Sequence, residues 1–225
     1  MDISFFDRHL QCHLVYETGF ETLDEVWVEG SPDVGVKKNL LCVRTSRERD
    51  RGIRFVCSVF VRRIFEGDLL VTFEGRSVAA WSHRNFNFFI HTMPRDGRDL
   101  YATRGERTGD YPEYHVMDNY LFTCLPSERR NPDGSAMFRY RMRRNPGFEL
   151  MREEHGYRCE DGRWYRFEYL VHAGLVGVRV DGRDDQTYTW VDRQALRRGY
   201  LGFRTYISDL EFRDLRVYGV TGAQG

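Results

Sequence analysis

Short apolar runs separated by turn residues recur along the whole chain. Candidate strands fall at residues 14–16, 26–29, 40–44, 53–62, 69–73, 86–91, 115–125, 136–143, 164–172, 176–181, 199–206 and 210–218. Each is rich in Val, Phe, Tyr, Leu or Ile and is bounded by Gly, Pro, Asp or Asn. Many short strands without a helical repeat predict an all-β sandwich or barrel. Alternation is clearest near the C-terminus. Tyr165, Phe167, Tyr169 and Val171 share one parity, and Trp164, Arg166, Glu168 and Leu170 the other, so one set enters the core. His172-Ala173-Gly174 then turns the chain, Val176, Val178 and Val180 return, and Asp181-Gly182 closes that strand. In 210–218 the phase slips at Arg213-Asp214, which predicts a bulge. Residues 192–198, with Asp192 as cap, are the one short helical turn expected. Residues 44–52 form a charged loop and 93–113 a long Gly- and Pro-bearing one. Loops of that length in a compact domain usually carry function or move.

Composition narrows the class. A chain of 225 residues suits one large sandwich domain spanning 1–225, with no shift marking a second. The 34 basic residues balance 34 acidic ones, which disfavours a nucleic-acid partner. Only Lys37 and Lys38 are lysines, leaving 32 of the 34 as arginines. The guanidinium fork suits carboxylates better than an ammonium does. The five cysteines include no CxxC pair, so neither a disulfide framework nor a zinc site is expected. No signal-peptide pattern opens the chain and no 18-residue apolar run occurs, so the expectation is a cytoplasmic protein with no membrane partner.

Unusual polar residues concentrate between Trp81 and Glu149. In residues 85–92, alternation puts Asn85, Asn87, Phe89 and His91 on one face, opposite Phe86, Phe88 and Ile90. Asparagine is depleted in strands. Two on one face predict either a ladder of side-chain hydrogen bonds or a polar line across a sugar groove. In 138–143, Arg139, Arg141 and Arg143 alternate with Phe138, Tyr140 and Met142. Same-facing arginines repel unless cross-strand carboxylates or an anionic ligand lie opposite. The two readings stay open: an exposed face with cross-strand Glu partners, or a cleft floor for uronate carboxylates that Arg204 would join. The stretch 104–120 gathers Arg104, Asp110, Tyr111, Glu113, Tyr114, His115, Asn119 and Tyr120. Histidine exchanges protons near neutral pH, and a tyrosine whose pKa is lowered by arginine can act as an acid. A carbohydrate eliminase needs this pairing. A hydrolase wants two spaced carboxylates, for which Asp110 and Glu113 are the local pair.

No nucleotide-binding, zinc-protease, hydrolase-elbow or EF-hand pattern occurs, and no cofactor is expected. The acidic turns at 96–99 and 181–185 lack the spacing of a dedicated calcium site.

The run from Asp99-Leu100-Tyr101 through Arg107-Thr108-Gly109-Asp110-Tyr111-Pro112-Glu113-Tyr114-His115 resembles the YesU-like proteins of bacteria. So do Arg144-Asn145-Pro146-Gly147-Phe148, Gly199-Tyr200-Leu201-Gly202-Phe203-Arg204 and Asp214-Leu215-Arg216-Val217-Tyr218. The likeness spans about residues 81–218. It implies a two-sheet antiparallel jelly roll of the concanavalin A-like type with a concave groove. It also implies an association with gene clusters that degrade plant or algal polysaccharides, and supplies no accepted catalytic set.

The sequence thus predicts a carbohydrate-active protein acting on acidic oligosaccharides, lyase- or hydrolase-like. The rivals are a non-catalytic lectin-like module and an interaction domain. His91, Tyr114 and His115 are the proton-transfer candidates. Arg104, Arg139, Arg141 and Arg204 would hold anionic or hydroxyl groups, and Trp81, Asn87 and Tyr120 would position sugar. An oligosaccharide is the expected partner, and oligomeric state stays open.

Overall fold

The computed structural model describes residues 2–5, 8–30, 33–45, 56–78 and 83–221. Two antiparallel sheets pack face to face. One runs β1 (Asp2–Phe5), β2 (Arg8–Thr18), β16 (Asp209–Thr221), β7 (Leu69–Ser77), β12 (Tyr165–His172), β13 (Leu175–Val180), β14 (Thr187–Val191). The first half of β16 also pairs with β5 (Leu41–Arg44), which pairs with β4 (Val34–Val36). The other sheet runs β11 (Glu149–Arg158), β10 (Ala136–Asn145), β9 (Asp118–Arg130), β8 (Phe86–Met93), β15 (Arg198–Tyr206), β6 (Val56–Glu66), β3 (Val26–Gly30). This is the all-β jelly-roll architecture expected.

The expected alternation builds the layer between the sheets. Tyr165, Phe167, Tyr169 and Val171 meet Phe86, Phe88, Ile90, Phe138, Tyr140 and Met142 there, all buried. Each such side chain contributes roughly 1.5–3 kcal/mol by leaving water. Ala173 and Gly174 take positive φ, as a two-residue hairpin turn requires, and Asp181 and Gly182 do so in the tight turn that opens the longer β13–β14 connection. Asp214 does so too, and the β16–β7 register slips between Arg213 and Arg216, so the bulge is real.

Several elements differ from expectation. Residues 192–197 form turns without a helix. There Asp192 accepts hydrogen bonds from the Gln194 N–H and the Tyr120 hydroxyl. Four strands, β1, β4, β11 and β14, were not anticipated. Residues 46–52 of the charged loop, like Trp81, lie outside the described residues.

The second apolar cluster positions the site. Leu100, Tyr114 and Met117 of the β8–β9 connection pack on Trp27, Phe60, Phe89 and Tyr200 across the outer face of the β8–β15–β6–β3 half-sheet, and on Leu121 near the start of β9. The loop covers that half and leaves the β8–β9–β10 side open as a trough.

Candidate functional site

The trough is read from its floor. Register aligns Arg204 on β15 with Asn87 on β8, Asn87 with Thr123 on β9, Thr123 with Arg141 on β10 and Arg141 with Glu153 on β11. These side chains share the outer face because their neighbours in sequence fill the core. Asn87 donates from Nδ2 to Asn85 Oδ1 at 2.7 Å and to the Arg204 carbonyl, and accepts at Oδ1 from Thr123 Oγ1 at 2.7 Å. Thr123 Oγ1 in turn lies 3.3 Å from the Tyr111 hydroxyl. The asparagines therefore form the hydrogen-bond ladder that was one of their two readings, and the ladder itself lines the cavity.

That cavity, of about 350 Å³, is bounded by Asn85, Asn87, Thr123, Leu125, Arg141, Arg143, Arg204, Tyr111, Phe148 and Tyr206. Among the described residues, its lining contains no carboxylate. Arg141 is neutralised by Glu153 at 2.7 Å, the cross-strand partner expected of an exposed face. Arg143 and Arg204 are not. The two residues are 9% and 5% exposed, and their Nε groups have no hydrogen-bond partner among the described residues. Arg204 lies 4.0 Å over the Tyr111 ring and Arg143 4.3 Å over Phe148. Cation–π contacts hold the guanidinium groups in place without cancelling their charge. Burial lowers the pKa of both from the ordinary arginine value. Asp110 acts on Arg204 and Glu153 on Arg143 only at longer range, with no ion pair to either arginine among the described residues; such buried cations are costly, so the floor favours an incoming anion.

Backbone geometry of the loop aims Tyr111 and His115. Asp110 caps a 3₁₀ turn over Tyr111–Tyr114, and Glu113 accepts from the N–H groups of Asp110 and Thr108. Glu113 is thus committed to holding the loop, which removes the Asp110–Glu113 pair as a hydrolase's two carboxylates. The His115 carbonyl accepts from Gly147 N–H, and Asn145 binds both Asn119 and the Phe148 N–H. These bonds stack Phe148 on the His115 ring at 3.9 Å and set Tyr111 edge-on to it at 4.8 Å. His115 stands against the cavity wall. Its pKa is lowered to about 4 by burial and then by the charges of Arg204 and Arg143, so it is neutral at pH 7. Burial raises the Tyr111 pKa against the opposing pull of Arg204, Arg143 and Arg141, so its phenol keeps its proton.

Other expected residues lie elsewhere. Tyr114 is fully buried and donates to Glu29 Oε2 at 2.5 Å; burial and Glu29 raise its pKa well above the usual value. It anchors the loop instead of facing the trough. His91 follows a register shift between Ile90 and Met93 and takes φ of +57°. Alternation fails there, and the ring is carried toward the β6–β7 turn at Phe65–Asp68, fully buried, its pKa lowered to about 4 by burial. Tyr120 points between the sheets and donates to Asp192 at 2.6 Å. Arg104 sits on the loop's outer side, 4.2 Å over Tyr101. Arg139 lies on the trough face, one step along β10 beyond Arg141. Thr123 and Phe148 were not site candidates beforehand, while Arg143 and Tyr111 were noted on their segments but left out of the chosen site residues. Arg143 shares the arginine alternation, and Tyr111 precedes the proline that starts its turn.

A larger cleft of about 450 Å³ opens beside the β6–β7 turn. Its charges largely satisfy one another: Asp68 meets His172 at 2.9 Å and Arg197 at 3.2 Å, and Glu66 meets Arg198 at 2.8 Å. The smaller trough, with unneutralised cations, is the better candidate.

The class defined is an all-β jelly roll with a cationic trough on one sheet. The chain belongs to the family described as a domain of unknown function, DUF6250, whose model matches residues 54–215. None of the curated proteins matches it in sequence. Among solved structures, it is similar to a Bacillus subtilis protein of unknown function with a galectin-like fold. That pair has 17% identity and a TM-score of 0.70, covering 94% of this chain and 99% of that one. It is similar to the exoplasmic/lumenal domain of VIP36 in its Ca²⁺/Man3GlcNAc-bound form (10%, TM-score 0.65, 95% and 92%). It is also similar to the endo-β-1,3-glucanase of Pyrococcus furiosus (11%, TM-score 0.60, 98% of both). At these identities the likeness is one of fold.

Proposed function

We propose that the protein is carbohydrate-active and takes acidic oligosaccharides in the trough, with elimination as its reaction. The carrying observation is the pair of buried, unneutralised guanidinium groups, Arg204 and Arg143, converging beside Tyr111. A uronate carboxylate between them would gain charge-assisted bonds in a site with little water. Elimination removes the proton on the carbon α to that carboxylate. Its electrons form a new C=C bond as the β C–O bond breaks, and the leaving oxygen takes a proton. The guanidinium groups would stabilise the charge that builds on the carboxylate, the largest electrostatic demand of the step. Tyr111, protonated in the lining, would supply the leaving-group proton, and neutral His115, edge-on to it at 4.8 Å, would accept the proton taken from the α carbon and return one to Tyr111. A lining without carboxylates supports this over hydrolysis, which uses two.

Lectin-like binding without turnover is the second reading. The observation favouring it is the His115 Nε2 atom, buried behind Phe148 and without a partner among the described residues. The resemblance to YesU-like proteins, with their link to polysaccharide degradation, fits either reading. A cytoplasmic setting is the compartment that suits five cysteine thiols.

The test is incubation with galacturonate, mannuronate, guluronate and glucuronate oligosaccharides, following new double bonds by absorbance and binding by calorimetry. Elimination predicts an absorbance rise that Tyr111→Phe abolishes while binding persists. Binding that Arg204→Gln removes, with no absorbance change, establishes the lectin reading. A panel that neither binds nor reacts overturns both.

A further inference from the structure

The trough has a second row. Continuing the strand register one step beyond Arg204, Asn87, Thr123 and Arg141 brings Tyr206, Asn85, Leu125 and Arg139 into line. Leu125 pairs with Arg139, and Arg139 pairs with His155 on β11. Asn85, Leu125 and Tyr206 all border the cavity, so this row is its open side. Its two ends differ from an ordinary solvated surface. Tyr206, 40% exposed, offers a ring set edge-on against His83 at 5.8 Å. Arg139, at the opposite end, keeps a buried Nε with no hydrogen-bond partner among the described residues. The reason is local. Glu153, the nearest carboxylate, is bound by Arg141 at 2.7 Å and lies 3.6 Å from His155, while His155 Nδ1 is 2.6 Å from Ser127 Oγ. The direct contact of that carboxylate goes to Arg141, and Arg139 acts on it only through charge.

We infer that the trough is built for an oligosaccharide carrying more than one anionic group, lying across the strands. Arg143 and Arg204 form one anion subsite, Arg139 a second, and Tyr206 stacks on a sugar face at the far end. From β15 to β10 the row crosses three inter-strand spacings, about 14 Å. That is the span of a short oligosaccharide and not of a single sugar. Along β10, Arg139 and Arg143 are four residues apart, again about 14 Å. Arg204 and Arg143, by contrast, lean over adjoining rings, Tyr111 and Phe148, whose centroids are 5.1 Å apart. The two subsites select spaced charges, as on a polyuronate, over an isolated acid group. The aromatic ring at the opposite end contributes through sugar C–H surfaces without reading charge.

This inference rests on the reading of the trough as an acidic-sugar site. Calorimetry with di- and tetrasaccharides of the four uronic acids separates the two. For the native protein, the tetrasaccharide should bind at least about tenfold more tightly than the disaccharide, the increment of one charge-assisted contact. Arg139→Gln should reduce that tetramer-to-dimer ratio by about tenfold, and Tyr206→Ala should also reduce it. Arg204→Gln should weaken both lengths together and preserve the ratio. Equal affinity for the two lengths, or a ratio untouched by Arg139→Gln and Tyr206→Ala, overturns the second subsite. In that case, binding that still depends on Arg204 leaves the proposed function standing. Absence of acidic-ligand binding at any length overturns both.

Discussion

At the scale of single residues, the informative feature is charge without a partner. Most arginines here meet carboxylates, as Arg44 and Arg76 do on Glu211 and Arg107 on Glu29. Arg204 does not, although it is 5% exposed. Such a group is retained against its own desolvation cost, which points to function over stability. Arg204→Met should therefore keep or raise stability, by about 1–2 kcal/mol in urea denaturation, while removing acidic-ligand binding. A loss of more than about 1 kcal/mol would instead make Arg204 a structural residue. Alternation made this face legible: the order Phe138-Arg139-Tyr140-Arg141-Met142-Arg143 places the cations correctly. It could not show which arginine Glu153 neutralises, because that depends on the register of β11. Nor could it place His91, since one positive-φ residue at a register shift ends the period of two.

At the scale of elements, the long loop is held rigidly to the sheet. Glu29 on β3 accepts two bonds from Arg107 at 2.6 and 2.8 Å, one from Trp27 Nε1 at 2.8 Å and one from Tyr114. The backbones touch as well. A Cβ on Gly109 would stand 2.6 Å from the Glu29 carbonyl oxygen, and one on Gly30 2.8 Å from that of Thr108. Both glycines take positive φ, so only glycine fits this contact without strain. Glu29→Ala leaves Arg107 buried without its counter-charge, and should cost about 3–5 kcal/mol in chemical denaturation. The loop carries Tyr111 and His115, so amides of residues 99–117 should lose hydrogen-exchange protection in the same variant. Unchanged protection would show that apolar packing alone holds the loop. None of this was visible beforehand, because the ion pair joins residues 78 positions apart. Strand β11 was missed for a different reason. Glu149, Arg152, Glu153 and Glu154 break its alternation, and it is paired only along its β10 side among the described residues. Pairing along that backbone, not an apolar face, makes it a strand.

At the scale of the whole molecule, two histidines set a pH response. Burial lowers both His91 and His115 from the ordinary value of 6.5 to about 4, with the charges of Arg204 and Arg143 adding to the effect at His115. Below pH 6.5 the unfolded chain protonates these rings and the folded chain does not. The unfolded state then binds more protons, so stability falls as pH drops from about 6.5 toward 4. For fully buried His91 the loss at pH 5 is about 2 kcal/mol relative to pH 7. Carboxylates held below their usual range, such as Asp192 and Glu211, act with the same sign but in a lower window, as pH falls below about 4. Urea midpoints at pH 7, 6 and 5 isolate the histidine contribution. The native protein should lose stability across that series, and His91→Leu should lose about 2 kcal/mol less. Equal slopes would mean that the His91 ring is protonated inside the fold. The same scheme couples stability to the trough. An anion between Arg204 and Arg143 offsets the charges that depress His115, so acidic-ligand binding at pH 5 should take up a proton fraction there. Calorimetry in buffers of different ionisation enthalpy measures that uptake, and His115→Phe should remove it.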